Sequence, residues 1–383
     1  MEFEFLSPVN PEIIEFSSQL SQKQLGFSMV KNSMNNFPDL QNIKLTIIGV
    51  LENRNDSNAT KIVDISYVRK AIYQLYPGNW TNDIADLGDI DEGSSTEDTF
   101  YALKLITEKL LKLNIIPIII GGTQDLTYPI YRAFDNLDQM VNLVTIDSKF
   151  DFGKEDEPVK IDSYLSRIIA DEPNNLFNYS NIGYQTYYNA QEEIDLIEKL
   201  YFDAYRLGEV SNNISIAEAI LRDADFVSLD LTAVKSADSG NYYTFVPNGF
   251  DGKEICSLSR YAGISSKMKI LGIFNHNNSE NESNLIAQIV WYFIEGFYFR
   301  TDENPDKDKS HFTKYNVLVE DHQIIFYKSE KTQRWWVETP HFKSLGNINE
   351  FGALLPCTND EYIKCCAQEI PDRWWNAQRK NIL

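Results

Sequence analysis

The first 275 residues of this 383-residue chain contain no histidine; the only four are His276, His311, His322 and His341. A metal centre or proton relay built on imidazole is therefore excluded from most of the chain. The four cysteines, Cys256, Cys357, Cys365 and Cys366, form neither a Cys-x-x-Cys pair nor a disulfide framework for so long a chain, so they read as reduced thiols. No stretch approaches the roughly 20 apolar residues of a membrane helix, and the start MEFEFLSPVNPE lacks the basic residues and apolar run of a secretion signal. The expectation is a cytoplasmic protein without membrane insertion. Positive charge is also scarce: 35 Lys and Arg against 56 Asp and Glu give a formal charge of −21, and no basic cluster offsets it. That balance repels nucleic acid and anionic lipid, which leaves proteins and small molecules as partners. No Gly-x-Ser-x-Gly elbow, no cysteine–histidine constellation and no P-loop lysine follows any strand-like run, so nucleophilic and nucleotide chemistry have no support.

What is present is a series of short apolar runs without alternation: Lys44–Leu51, Ile115–Gly122, Val141–Asp147, Asp225–Leu231 and Lys267–Asn275. Such runs suit strands buried on both faces. Between them, Thr96–Leu113, Asn189–Leu207 and Ser215–Arg222 carry apolar residues at helical spacing, and Leu285–Phe299 reads as a buried helix. The alternation predicts an α/β fold, a doubly wound, mostly parallel sheet flanked by helices over residues 1–300. Composition changes at Thr301–Lys309 (TDENPDKDK), which predicts a linker over 301–314. Beyond it, Tyr315–Glu320 and Gln323–Lys328 predict a hairpin and Arg334–Thr339 a third strand, within a small Trp-rich appendage over 315–383.

Ligands of open α/β sheets bind at the carboxyl ends of the strands. Those ends carry Asp147 and Asp151 after one run and Asp230 after another, and an extended chain would place Asp147, Lys149 and Asp151 on one side. The alternative is a set of solvated turn aspartates.

Here the chain resembles the arginase, agmatinase and formimidoylglutamase family, from about Val68 to Phe299. Val68-Arg-Lys-Ala71 with Asp86-Leu-Gly-Asp89 looks like the family's early helix and strand, and Pro247–Glu254 looks like its proline- and glycine-rich loop. The family's Gly-Gly-Asp-His-Ser falls on Gly121–Asp125, its Asp-Ala-His-x-Asp on Asp147–Asp151, and its Ser-x-Asp-x-Asp-x-x-Asp-Pro on Ser228–Ser236. The resemblance implies an arginase-like fold and a di-manganese site that makes hydroxide from a bridging water. Its ligand positions fall on Gln124, Asp147, Lys149, Asp151, Asp230 and Thr232, so both histidines and one aspartate are replaced. The segment Glu-Val-Asn-Pro falls on Ile273–His276, which replaces a substrate-holding carboxylate by an aliphatic side chain.

The expectation is a pseudoenzyme without a metal cofactor, in which Lys149 balances the three carboxylates, acting as a binding or scaffolding protein. The alternatives are a single Mg or Ca ion on Asp147, Asp151 and Asp230, metal-free chemistry with Lys149 as base, and an active, manganese-dependent formimidoylglutamase-like hydrolase of amidine or guanidine C–N bonds. Two Arg-Trp-Trp triplets, Arg334-Trp335-Trp336 and Arg373-Trp374-Trp375, hold four of the six tryptophans. They are candidate contacts for a protein partner, the alternative being that they pack the appendage onto the main domain. Chains with such a tail resemble a Bacteroidetes lineage, which implies service in an envelope, secretion or gliding assembly. The family also implies a possible homo-oligomer.

Overall fold

Apolar runs without alternation need cover on both faces, and one parallel sheet supplies it. The computed structural model describes residues 3–55, 63–81, 83–137, 139–153, 158–242, 245–305, 308–339 and 354–380. Its main sheet contains β1 (Val30–Lys31), β2 (Leu45–Val50), β3 (Ile84–Ile90), β4 (Ile116–Gly121), β5 (Val141–Ile146), β6 (Leu176–Tyr184), β7 (Asp203–Arg206), β8 (Phe226–Asp230) and β9 (Ile270–Phe274). The order is β1-β3-β2-β4-β9-β8-β5-β6-β7, and every pairing is parallel. All residues of β2, β4, β5, β8 and β9 are buried. Alternate residues feed two cores, Leu45 and Ile47 on one face of the sheet, Ile48 and Val50 on the other.

Consecutive strands β4 and β5 are separated in the sheet by β9 and β8, so the carboxyl ends of β4, β9, β8 and β5 lie side by side at its centre. That is where such a sheet opens a crevice.

The flanking helices follow their apolar stripes. Helix Thr96–Lys112 starts at a capping box in which Ser95 and Asp98 satisfy each other's amide, and it buries Leu103, Ile106 and Leu110. Helix Gly252–Ile264 starts likewise, with Glu254 accepting from the Asp251 amide at 2.8 Å. The glutamate that ends the proline- and glycine-rich loop is thus a cap. Helix Glu280–Tyr298 buries Leu285, Ile289, Val290 and Phe293, and no helix among the described residues is long and apolar enough to cross a membrane.

Two expectations are corrected. The stretch Asn189–Leu207 is not one helix: helix Gln191–Lys199 stops where Tyr201 adopts φ +55°, and the chain then forms edge strand β7. The stretch 301–314 is not a free linker, because Glu303 accepts from the Ser329 hydroxyl at 2.6 Å and the next strand begins at Phe312.

That strand opens an antiparallel sheet of β10 (Phe312–Val319), β11 (His322–Ser329), β12 (Trp335–Glu338) and β13 (Leu354–Cys357), in that order. Helices Asn359–Cys366 and Asp372–Lys380 follow. One Arg-Trp-Trp triplet thus ends in a strand and the other lies in a helix, so they are not copies of one structural unit. Trp335, Trp336 and Trp374 are buried, and Arg373 and Trp375 half-buried. The candidate partner-binding triplets thus place three of their four tryptophans inside the appendage. Arg222 of helix Ser215–Arg222 is the anchor. It donates to the carbonyls of Trp335 (3.1 Å) and Cys357 (3.2 Å), and its guanidinium lies 4.4 Å from the centre of a Trp336 ring. His341 lies outside the described residues.

Candidate functional site

A parallel strand ends by releasing its last carbonyls and amides into a turn, and each turn at the centre of this sheet carries an acid or amide. After β4, Gly122 passes so close to Glu52 that a Cβ would sit 1.6 Å from the Glu52 carbonyl oxygen. The Gly-Gly pair therefore serves a close backbone approach. The chain then turns through Gln124–Leu126, which buries Gln124 and Asp125 completely. After β5 comes Asp147, 1% exposed, and after β8 comes Asp230, 5% exposed.

Asp147, Asp151 and Asp230 do converge. Burial raises the Asp147 carboxyl well above the usual carboxylate range, with further push from Asp151 and Asp230. Burial and the Asp230 charge push Asp151 up to about 7, while a hydrogen bond with Asp147 and the Lys149 charge pull the other way. Both carboxyls of the pair are thus pushed toward the protonated form. Burial also raises Asp230, but its carboxylate is held by the Thr232 amide and hydroxyl, each at 2.7 Å.

Lys149 does not join them as the extended-chain expectation required. The Asp147 carboxylate accepts the Lys149 amide at 2.9 Å, and Asp151 adopts φ +56°. This side-chain capture turns the chain, as aspartates do in loops. The Lys149 side chain ends exposed, 6.0 Å from the centre of the Tyr188 ring. Its charge reaches Asp151 and Asp230 only as a field.

Gln124 is the most unusual member. Its side-chain amide lies beside Asp147 and helps hold that carboxyl down, yet neither Nε2 nor Oε1 makes a hydrogen bond of normal geometry. Asp147 Oδ2 and Asp125 Oδ1 are likewise buried without a hydrogen bond of normal geometry among the described residues, although Asp151 lies beside the first and Thr123 beside the second. Buried polar atoms are almost always satisfied, so a concentration of orphans marks a site with room for something polar.

Four acidic or basic residues at these strand ends were not singled out by the sequence for this role, or were left as loop residues. Glu52, fully buried, accepts from Thr99 at 2.7 Å and from Arg54 Nε at 2.9 Å. Asp125 accepts from Asn55 at 2.5 Å, and burial pushes it up to about 6. Glu282 is buried, accepts from the Asn277 amide, and is pushed up to about 7 by burial. His276 is pulled down to about 4 by burial, with Nε2 unpartnered. Only Glu282 carried a signal, as a charged residue three positions before an apolar helical run. Ile273, at the position of a substrate carboxylate, is a fully buried core residue.

The donor set decides what the site can hold. A pair of manganese ions needs several lone-pair donors around each ion, with imidazole among the usual ligands. Here neither Gln124 nor Lys149 supplies an imidazole, Lys149 offers an exposed ammonium, and the Thr232 hydroxyl is spent as a donor to Asp230. Among the described residues, no three His, Cys, Asp or Glu side chains converge as metal ligands. These residues do not fit a di-manganese centre. What they can do is accept hydrogen bonds from a polar, donor-rich group and exchange a proton near neutral pH.

Comparison with known proteins places this geometry. The sequence profile of the arginase family matches residues 62–292. A formimidoylglutamase from Streptococcus gordonii is 22% identical over 232 residues, covering 55% of this chain and 70% of the relative. Among solved structures, the formiminoglutamase of Trypanosoma cruzi with Mn2+2 superposes with a TM-score of 0.61 at 17% identity, covering 70% of this chain and 100% of that one. The agmatine ureohydrolase of Thermoplasma volcanium gives 0.57 at 19% identity, covering 74% and 98%. Structural likeness at such identities establishes the fold alone.

Proposed function

The chain belongs to the arginase family, and from that premise we propose that it is a member without the di-metal centre, acting as a binding or scaffolding protein. The observation that carries this reading is the composition of the ligand positions: Gln124, Lys149 and Thr232 stand where the family resemblance expects two histidines and an aspartate. Function resides in sites grafted onto folds, so a retained fold with an altered site predicts altered function. Two of the retained aspartates also spend acceptor capacity inside the protein, Asp230 on the Thr232 amide and hydroxyl and Asp147 on the Lys149 amide, which supports the same reading.

A second reading keeps hydrolysis of a linear amidine, supported by likeness to proteins named formimidoylglutamase at 22% and 16% identity. The test is purification after manganese supplementation without a histidine tag, metal analysis, and an assay for formamide, ammonia or urea release. The proposal expects no stoichiometric manganese and no turnover. Stoichiometric manganese with turnover selects the hydrolase. A partner, on this proposal, is a protein that meets the outer surface of the appendage, since the tryptophans are spent inside it.

A further inference from the structure

The appended sheet ends in a strand that has no neighbouring strand on its outer side among the described residues. β10 is the outermost strand, paired on one side only. Its register with β11 runs without a bulge from Phe312 to Val319, and the strand has no proline and one charge, Lys314. Natural edge strands are kept short, kinked or heavily charged to prevent pairing, and this one is eight residues long.

The direction of its free backbone groups follows from the turn. β10 and β11 are joined by the two residues Glu320 and Asp321, with Val319 paired to His322. In a two-residue hairpin the closing pair exchanges hydrogen bonds, so Val319, Val317, Tyr315 and Thr313 direct their amides and carbonyls to β11. Phe312, Lys314, Asn316 and Leu318 then direct theirs outward. Two contacts agree with this parity: Gln368 donates to the Leu318 carbonyl at 3.2 Å, and the Phe312 amide donates to Lys309 at 3.2 Å. The central groups, on Lys314 and Asn316, face an open edge, and the Leu318 side chain is 67% exposed.

We propose that β10 is the contact by which two copies of this chain pair, edge to edge and antiparallel, joining two four-stranded sheets across a twofold axis. The sequence is self-complementary in one register. Centring the axis on Lys314 would oppose two ammonium groups directly, and centring it on Asn316 would set Lys314 against Leu318. Centring it on Tyr315 sets Lys314 against Asn316, Phe312 against Leu318, Thr313 against Val317 and Tyr315 against its own copy. The two Lys314–Asn316 pairs then exchange ladder hydrogen bonds, and the apposed tyrosines occupy the closer, non-hydrogen-bonded spacing where aromatic pairs stabilise a sheet.

A chain of charge −21 repels its copies in general, and β10 carries a single charge, Lys314, which favours contact along this strand. An isologous contact needs such a self-complementary patch. A different protein adding a strand to this edge is the competing occupant, and it requires no such self-complementarity.

Sedimentation velocity of the full chain from about 1 to 200 µM tests the pairing. A monomer–dimer equilibrium is expected. Asn316→Lys places an ammonium opposite each Lys314 and should raise the dissociation constant about tenfold. Adding Lys314→Glu converts both clashes into ion pairs and should restore the dimer. Both positions are exposed, so thermal melting should be unchanged in each variant. A monomer throughout the range overturns the proposal, as does a dimer indifferent to Asn316→Lys or not restored by the second substitution.

Discussion

The crevice at the strand ends and the seam beneath the appendage both bury charge, and they handle it in opposite ways. In the crevice, Gln124 leaves donor and acceptor atoms without a hydrogen bond of normal geometry, and burial first, with neighbouring charge second at Asp147 and Asp151, raises the three carboxyls. At the seam, Arg222 spends one nitrogen on two carbonyls and lays its face on Trp336, while Glu218 pairs with Arg334 at 3.1 Å. Arg222 Nε pairs with Glu218 at 3.5 Å, while neither Nε nor Nη1 makes a hydrogen bond of normal geometry. The seam is organised by packing, with polar groups fitted around it. The crevice is organised by turns that present polar groups to a space. A seam of that kind defends stability, whereas a crevice of that kind tolerates exchange of its side chains.

The comparison can be broken first at the backbone. Gly122→Ala forces a Cβ onto the Glu52 carbonyl and should cost roughly 3–5 kcal/mol by displacing two strand ends. Urea denaturation reads this, and a loss below about 1 kcal/mol would mean the crevice frame is soft. Next, Arg222→Ala leaves the Trp335 and Cys357 carbonyls buried and a void against Trp336; about 2–4 kcal/mol should be lost. If the appendage were only loosely attached, its tryptophan fluorescence would melt separately while the main transition stayed fixed.

Asp147→Asn has the opposite sign. Removing one of three close carboxyls should stabilise the protein by about 1 kcal/mol at pH 8, provided no cation is bound there. The pH dependence follows the same logic. Asp151 and Glu282 are raised to about 7, and Asp125 and Asp225 to about 6, all by burial first. Between about pH 4 and 7 the folded protein therefore binds more protons than the unfolded chain, and these groups lose stabilisation as pH rises. His276, lowered to about 4 by burial, acts in the reverse direction up to about pH 6.5. Asp89, Asp147 and Asp230 are raised in the same direction, so the carboxyls outnumber the histidine and the urea midpoint should fall from pH 5 to 8, with a smaller fall in Asp147→Asn. Smallest of all should be Lys149→Ala: an exposed lysine that contacts only a tyrosine face should change stability by less than about 0.5 kcal/mol. A large loss would restore the idea that it balances the carboxylates.

The sequence made the sheet legible where burial was uniform. Ile118–Ile120 in β4 and Val144–Ile146 in β5 can be nothing but doubly covered strands. It was silent where polar residues are buried by hydrogen bonding. In β6, Asn181 is fully buried because its amide donates to the Lys149 carbonyl at 2.9 Å and to Thr145 at 3.1 Å. In β3, Asp86 is buried because Arg69 and Tyr73 bond it. No local pattern announces such partners. The three aspartates of the crevice were legible because strand ends are countable. The direction of Lys149 was not, because it depends on one hydrogen bond from its own amide. The tryptophans were visible as a feature, but their burial depends on Arg222, over a hundred residues upstream.

The central claim is that the crevice no longer assembles a metal pair. Isothermal titration of manganese into the whole 383-residue chain, without a tag, at pH 8 tests it most directly. The account predicts no stoichiometric binding in the micromolar range and the same trace for Asp230→Asn. Saturable, stoichiometric uptake that Asp230→Asn abolishes would contradict it and return the chain to the metal-dependent hydrolases it resembles.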